Sequence, residues 1–433
     1  MEPSASASDL ITLRKQALEL FRDGIRASDP EKAVSEALDQ RRQMIAAARR
    51  VILIAFGKAA CPMAQGALPF LGSKLHAACA VTNPENLARL DDRVAVLAGG
   101  HPLPDENSLR AGQMVEDVAR SAGPGDLLLV LISGGGSALL CAPAPGIALA
   151  DKIALNDALI RSGADIREIN TVRQAFSRLK GGRLAQLATG AQVLSLILSD
   201  VPGNDISTIA SGPTAKPRET DARAILDRYG LTGALPTAMR EHLNRLACQT
   251  GRQADSFDHV ENIVIGGNDI SLKKVMERAS SLFPAVVKAN DWLDGDVSDA
   301  ACALHRIALY AARETGPIAI VAGGEPTVKV KGGGTGGRNQ ELALRFAVLE
   351  ENAPIGRQWV FLSGATDGRD GPTDAAGGIV DAGSTGWMRQ FGCDPDMHLA
   401  NNDSYPALAS SGDLLLTGAT GTNVADLQIL LMR

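Results

Sequence analysis

Two cations and several carboxylates stand in glycine-rich turns beside strand-like runs, a placement suited to handling an anion. In Gly323–Glu341, GGEPTVKVKGGGTGGRNQE, an acidic turn leads through the alternating strand-like stretch Thr327–Lys331 into six residues of which five are glycine, then into a helix opening on Arg338 and Asn339. Glycines let successive N–H groups converge, a helix start adds unpaired donors, and a guanidinium offers a two-pronged fork to phosphate or carboxylate. A flexible glycine hairpin is the plainer alternative, but ordered strand and helix patterns flank the loop. Lys58, in Gly57-Lys58-Ala59-Ala60, follows the unbroken apolar run Val51–Phe56, where α/β sheets place ligands at the carboxyl ends of their strands. An exposed helix-start lysine would read the same way. The phosphate-loop pattern GxxxxGK[ST] is absent.

Other turns add candidates. Ser133-Gly134-Gly135-Gly136-Ser137 is a strand-to-helix turn with hydroxyls at both ends and resembles an anion nest; Leu139 stands where a GxGxxG fingerprint needs glycine. In Gly100–Asp105 two prolines fix a loop from which His101 and Asp105 could face a ligand, although His101 reads first as a satisfied structural histidine. Asn170 to Ala188 is helical in pattern and carries Arg173 and Lys180 two turns apart, on one face that is ordinarily just solvated. Gly181-Gly182 inside it costs a helix about 1 kcal/mol per glycine and signals a close backbone approach. Asp200 and Asp205 follow the strand-like Gln192–Leu198, placed for a metal or a base. Asp367, Asp370 and Asp374 fall within eight residues, but the glycine and closing glutamate of an EF-hand are missing from their places. A loop giving one or two carboxylates to Mg²⁺ or to a hydroxyl proton fits better. Asn401-Asn402-Asp403-Ser404 and Thr417–Asn423 are further small polar turns.

These residues need a scaffold to hold them. Strand-like runs at 51–56, 77–82, 93–97 and 127–132 alternate with helical stretches, including 106–121, which predicts a parallel, doubly wound sheet. Asp9 and Asp29-Pro30 read as starts of two N-terminal scaffold helices. The polar stretch Cys248–His259 is taken as the boundary between a first domain, 1–250, and a second, 251–433. The second is expected to hold strands at 262–265, 285–288, 317–322, 327–331, 358–362 and 413–417. The closeness of the third and fourth implies a hairpin and hence a mixed sheet.

Composition excludes several classes. At 433 residues and 45% hydrophobic content the chain buries a sizeable core, and 43 basic against 49 acidic residues leave a net charge of −6, which attracts neither nucleic acid nor an anionic membrane. The longest apolar runs are too short to cross a bilayer, and residues 1–8 lack the regions of a secretory signal, so a cytoplasmic protein is expected. The six cysteines are scattered and read as reduced thiols, and the six histidines form no zinc-ligand spacing.

Together, AFGKAA, GGHPLPDENS, LISGGGSALL, INTVRQAFSRLKGGRLA, LSDVPGNDISTIASGPT, AGGEPTVKVKGGGTGGRNQELAL, ATDGRDGPTDAAG and TGATGTNVADL resemble the glycerate kinases of the MOFRL type, often labelled hydroxypyruvate reductases. They span residues 54–427. The resemblance implies phosphorylation of D-glycerate, for this class at the 2-hydroxyl, by ATP with Mg²⁺. It implies a Rossmann-like α/β/α domain and a mixed-sheet α/β domain with the active site in the cleft between them. It places Lys58, Asp200, Arg338 and Asp367 there as the catalytic set. Pro202, Asn204, Gly378 and Ala419 depart from the family pattern, and Asn204 puts metal ligation near Asp205 in question.

Phosphoryl transfer asks for position and positive charge. Lys58 is expected to stabilise the transferring phosphoryl, and Arg338 to hold the substrate carboxylate or that same phosphoryl. Asp200 and Asp367 are expected as hydroxyl base and Mg²⁺ ligand in either order, with Asp205 a third metal candidate. His101, Ser133, Gly134, Gly135, Gly136, Ser137, Arg173, Lys180, Gly334, Gly336, Gly337, Asn339 and Asp403 are expected around substrate and nucleotide. The partner is a small molecule, and the chain a monomer or homodimer. One rival is a nicotinamide-dependent reductase: Gly332, Gly334 and Gly337 satisfy GxGxxG, but the acidic residue about twenty positions on is missing. A non-catalytic sugar-acid binding protein is the other, and it would be expected to have lost one of the four charges.

Overall fold

An apolar run such as VILIAF has no polar face to offer water and must be covered on both sides. In the computed structural model, which describes residues 5–218, 221–247 and 257–433, this run is β1 (Val51–Phe56), buried at every position. It pairs in parallel with β2 (Leu75–Thr82) and β4 (Leu127–Ile132), and β3 (Val94–Ala98) and β5 (Gln192–Ser199) continue the parallel sheet outward. With β6 (Val260–Gly267) the strand order is 3-2-1-4-5-6. Alternate residues of β1 enter opposite layers: Ile52, Ile54 and Phe56 meet Val115 and Ala119 of helix Glu106–Arg120, while Leu53 and Ala55 meet Met63 and Ala67 of helix Ala60–Leu71. The expected doubly wound sheet forms, and its order reverses between β1 and β4. The strand expected in the second sheet at Asn262–Ile265 is instead β6, at the edge of this first one.

The helix expected over Asn170–Ala188 does not run through. Helix Ile166–Ala175 ends, Gly181 and Gly182 take φ of +61° and +84°, and a short helix restarts at Arg183–Leu187. The close approach signalled by this glycine pair is real: Gly181 N donates to Ser211 O at 3.1 Å and Gly182 N to Gly212 O at 2.7 Å.

The second sheet contains β7 (Ala285–Lys288), β8 (Ile318–Gly324), β9 (Trp359–Ala365), β10 (Gly377–Asp381), β11 (Leu414–Leu415) and β12 (Asp426–Met432), in the order 11-10-9-12-8-7. It is mixed, because β7 joins β8 in parallel while every other pair is antiparallel. The expected hairpin is not the cause: Thr327–Lys331 makes one isolated bridge, Asp296 to Thr327, and no strand. Its Val330 is 77% exposed, so its alternation has no core to face. The neighbour of β8 is β12, whose Asp426 and Gln428 break the apolar pattern yet are fully covered.

Residues divide into two units, Pro30–Ile265 and Met1–Asp29 with Gly266–Arg433. The expected boundary segment lies largely outside the described residues, and helix Ala5–Ala27 packs with the second sheet instead of the first. Helix Ala5–Ala27 buries Leu13, Ala17, Leu20 and Phe21 against Val360 and Leu362 of β9 and Leu427 and Ile429 of β12. Arg14 adds ion pairs to Asp381 at 2.6 Å and Asp413 at 2.7 Å. Phe21→Ala should therefore cost about 3–5 kcal/mol. It should also speed amide exchange in β9 and β12 while β1 and β4 keep their protection; equal loss in all four strands would contradict this division.

Candidate active site

In the Pro30–Ile265 unit the turns after β1 and β4 are locked together. Gly57 has φ +116°, and a Cβ there would lie 2.3 Å from Ser133 Oγ. Lys58 N donates to Gly134 O at 2.9 Å, Ser133 N to Phe56 O at 3.0 Å, and Ala59 N to Ser133 Oγ at 3.0 Å. Strand reversal at β1 and β4 makes this a topological switch point, where open α/β sheets bind ligands. Lys58, half-buried, lies over Gly135 together with His101: a Cβ on Gly135 would be 3.4 Å from Lys58 Cγ and 3.1 Å from His101 Cδ2. His101 is exposed. Asp105 instead caps helix Glu106–Arg120, accepting from Ser108 N at 2.8 Å and Gly100 N at 3.0 Å.

The hydroxyls of the Ser133–Ser137 turn are engaged within the protein. Ser133 is fully buried, and Ser137 Oγ sits 2.9 Å from Ser211 Oγ, which donates to Asn170 Oδ1 at 2.9 Å. Short internal bonds satisfy these groups more cheaply than a distant anion. Lys180 is buried and donates from Nζ to Ser137 O at 3.0 Å; burial, helped by the charges of Lys152 and Arg173, pushes its ammonium down to about 7. Arg173 donates from Nε to Asn156 Oδ1 at 2.8 Å, so neither cation lies on a solvated helix face.

Asp200, just after β5, is half-buried, as is Asp367 just after β9, whose Oδ1 accepts from Arg369 N at 3.0 Å. Asp205 accepts from Ser207 N at 2.9 Å and Ser207 Oγ at 2.7 Å and pairs with Arg218 at 3.4 Å. Burial alone would raise its pKa, but the Ser207 bonds and the charges of Arg218 and Arg167 hold it below the usual carboxylate range. Its charge thus already has a counter-ion, which makes it a poor metal ligand. Among the described residues, no group of three or more His, Cys, Asp or Glu side chains could hold a metal ion.

In the other unit the glycine loop differs from the expected anion cradle. Lys331 N and Gly332 N donate to Asn402 Oδ1 at 2.7 and 3.1 Å, Gly333 N to Asn401 Oδ1 at 3.1 Å, Gly334 N to Asn401 O at 3.0 Å, and Thr335 N to Asp403 Oδ1 at 2.7 Å. The converging donors are thus taken by the Asn401–Asp403 turn, and Asp403 positions the loop. None of these glycines has positive φ; three are required for closeness, since a Cβ would lie 2.3 Å from Asn401 O at Gly332, 2.4 Å from Asp403 Cβ at Gly334 and 2.2 Å from Ser404 Oγ at Gly336, while Gly333 has open space. The start of helix Arg338–Asn352 is likewise filled. Asp370 accepts from Asn339 N at 3.1 Å and Gln340 N at 2.9 Å, and Gly337 leaves it room. Asn339, expected at the ligand, is fully buried, with Ser363 Oγ donating to its Oδ1 at 2.6 Å.

The fork of Arg338 is engaged as well. Nε and Nη2 donate to the two oxygens of Asp426 at 2.6 and 2.9 Å, and Nη1 meets Glu325 at 2.8 Å. Burial opposes the guanidinium charge, but Asp426, Glu325 and Asp370 outweigh it and hold Arg338 protonated. Burial also pushes the Asp426 carboxyl up to about 7, against the pull of Arg338.

Residues 16–244 match the family described as a domain of unknown function, DUF4147, and residues 318–426 match the MOFRL family. The chain is 40% identical to D-glycerate 2-kinase of Thermotoga maritima, over 96% of this chain and 98% of that one. It is 37% identical to human glycerate kinase, over 99% and 95% of the two chains. A crystal structure of glycerate kinase from Thermotoga maritima superposes with a TM-score of 0.86 at 38% identity, covering 98% of this chain and all of that one. The chain belongs to the MOFRL-type glycerate kinase family.

Within this family fold, sequence reasoning missed Asp426 and the part Asp370 plays as a helix cap. Asp426 lies in the TNVADL segment, where a lone aspartate opening an apolar run was the available signal. Asp426→Asn would leave Arg338 one acceptor oxygen in place of two and no counter-charge at that position, so that it is held chiefly by Glu325 and free to shift its aim. A displacement of about 1 Å costs about 100-fold in rate, and that loss of kcat/KM is expected with the fold intact by circular dichroism. Because protonated Asp426 resembles Asn, activity should fall as pH drops through about 7 in the native chain, and the variant should lack that limb.

Proposed function

We propose that the chain transfers the γ-phosphoryl of ATP to D-glycerate, at the 2-hydroxyl, giving 2-phosphoglycerate and ADP. The observation that carries this reading is the placement of Lys58 at the β1/β4 switch point in a chain aligned over nearly its whole length with glycerate kinases. Lys58 neutralises charge gathering on the transferring phosphoryl. Arg338 meets the substrate carboxylate or the same phosphoryl with the N–H groups that Asp426 leaves available, and Glu325, 45% exposed, is the carboxylate such a ligand would replace. One of Asp200 and Asp367 takes the proton of the attacking hydroxyl and the other contacts the metal. Mg²⁺, when bound with the nucleotide, supplies further positive charge across its phosphates.

The reductase reading has lost its main support. Gly332, Gly334 and Gly337 fit GxGxxG, but no strand precedes them and the helix start that should meet a pyrophosphate holds Asp370. The decisive experiment is a kinase assay with MgATP and D-glycerate, coupled through enolase without phosphoglycerate mutase. Signal is expected there, and none from NADH with hydroxypyruvate in the absence of ATP. Lys58→Ala and Arg338→Ala should each lower kcat/KM by about 100-fold or more; changes within about threefold, under ~1 kcal/mol, would remove those roles.

A further inference from the structure

Beside the glycine loop, the unit of the second sheet holds a cavity of about 540 Å³, within the roughly 300–1,000 Å³ of small-molecule sites. Helices Val297–Ala311, Arg338–Asn352 and Pro395–Ala400 enclose it together with Lys329 and Lys331. None of the residues expected at substrate, nucleotide or metal lines it. Val348, Leu349 and Leu399 supply apolar wall, and the charged groups are anchored with binding capacity to spare. Arg345 is clamped along one edge: Nε and Nη2 donate to Glu341 Oε1 at 2.9 and 2.7 Å, while Nη1 makes no bond among the described residues. Lys331 is fixed by its backbone, N donating to Asn402 Oδ1 at 2.7 Å, and its ammonium has no partner among the described residues. The carboxylates of Asp299 and Asp396, each in the first turn of its helix, accept no hydrogen bond among the described residues either. Two cations and two carboxylates from separate segments thus border one space, which suits a molecule bringing an anion and hydrogen-bond donors together. One amide joins this cavity to the loop. Asn402 Nδ2 donates to Glu341 Oε2 at 3.0 Å, while its Oδ1 accepts from Lys331 N and Gly332 N. Asn402 holds that place at φ +53°, a left-handed conformation that few side chains adopt. A ligand drawing on Arg345 therefore acts through buried Glu341 and Asn402 on the loop that leads into Arg338.

We propose that this cavity binds a small organic anion bearing hydroxyl or ammonium donors, with its carboxylate or phosphate on Arg345 and Lys331 and its donors on Asp299 and Asp396. Occupancy resets the glycine loop and with it Arg338. The binding stands by itself; the effect on turnover rests on the kinase reading.

Cys302, an exposed thiol on the cavity wall, reports on occupancy. Serine supplies a carboxylate with an ammonium, and glycerol phosphate a phosphate with hydroxyls. Millimolar serine or glycerol phosphate should slow alkylation of Cys302 by iodoacetamide, followed by peptide mass spectrometry. Protection by serine alone assigns the site a carboxylate, by glycerol phosphate alone a phosphate, and by both an anion of either kind. Lys331→Met keeps the backbone bonds to Asn402 and should raise the concentration for half-protection about tenfold or more. Lys58→Ala, in the other unit, should leave that concentration unchanged. No protection by either compound, or protection that survives Lys331→Met undiminished, overturns the site. At saturation the protecting compound should change kcat/KM for D-glycerate about fivefold or more in the native chain, and less in Lys331→Met at the same concentration. No change in the native chain, or an equal change in both, overturns the link to the loop. A chain without kinase activity refutes the kinase reading, while protection of Cys302 still decides the site.

Discussion

A charge pair taken out of water is tolerated only when both partners are held in register with their remaining hydrogen bonds met, and Arg338 with Asp426 imposes that demand on its whole unit. Asp426 opens β12 and is paired with Gly324 of β8 on one side and Ala365 of β9 on the other. Arg338 begins the helix that lies beyond the glycine loop, and Asp370 fixes that helix start by accepting from its first amides. Four chain segments thus converge on one guanidinium. Gly332, Gly334 and Gly337 are there because a side chain would collide with the Asn401–Asp403 turn or with Asp370.

The other unit solves a related problem with backbone alone. Two parallel strands with no polar residue, β1 and β4, sit side by side at the centre of the sheet, so their following turns must share one small space. Gly57 admits Ser133, Ser133 holds the amide after Lys58, and Lys58 is left over Gly135. Lysine position here follows from strand order, not from any feature of the lysine itself.

This difference explains what could be read from the sequence. Central parallel strands announce themselves, because burial on both faces demands an unbroken apolar run; β1 and β4 fall where VILIAF and LLLVLI predict them. Thr327–Lys331 alternates as a strand should, yet alternation specifies a strand only where one face meets a core. β12 escaped because Asp426 and Gln428 look like surface residues, and only a partner 88 residues away in sequence makes burying Asp426 tolerable. The glycine loop was recognised as special for the wrong physical reason: glycine supports both an open ring of donors and a tight contact, and composition does not distinguish them. That Lys58 follows a buried strand of a parallel sheet was legible; that Arg338 and the helix start already had partners was not, since those partners are remote in the chain.

Helix Ala5–Ala27 is synthesised well before β12, against which it packs. At roughly 5–20 residues per second the ~400 residues between them take on the order of 20 to 80 s to synthesise. Throughout that interval the stripe of Leu13, Ala17, Leu20 and Phe21 has no native surface to cover it, although the intervening Pro30–Ile265 unit can already fold. Nascent chains therefore carry an exposed apolar helix throughout that interval, a natural handle for chaperones and a source of contact between neighbouring chains on one polysome.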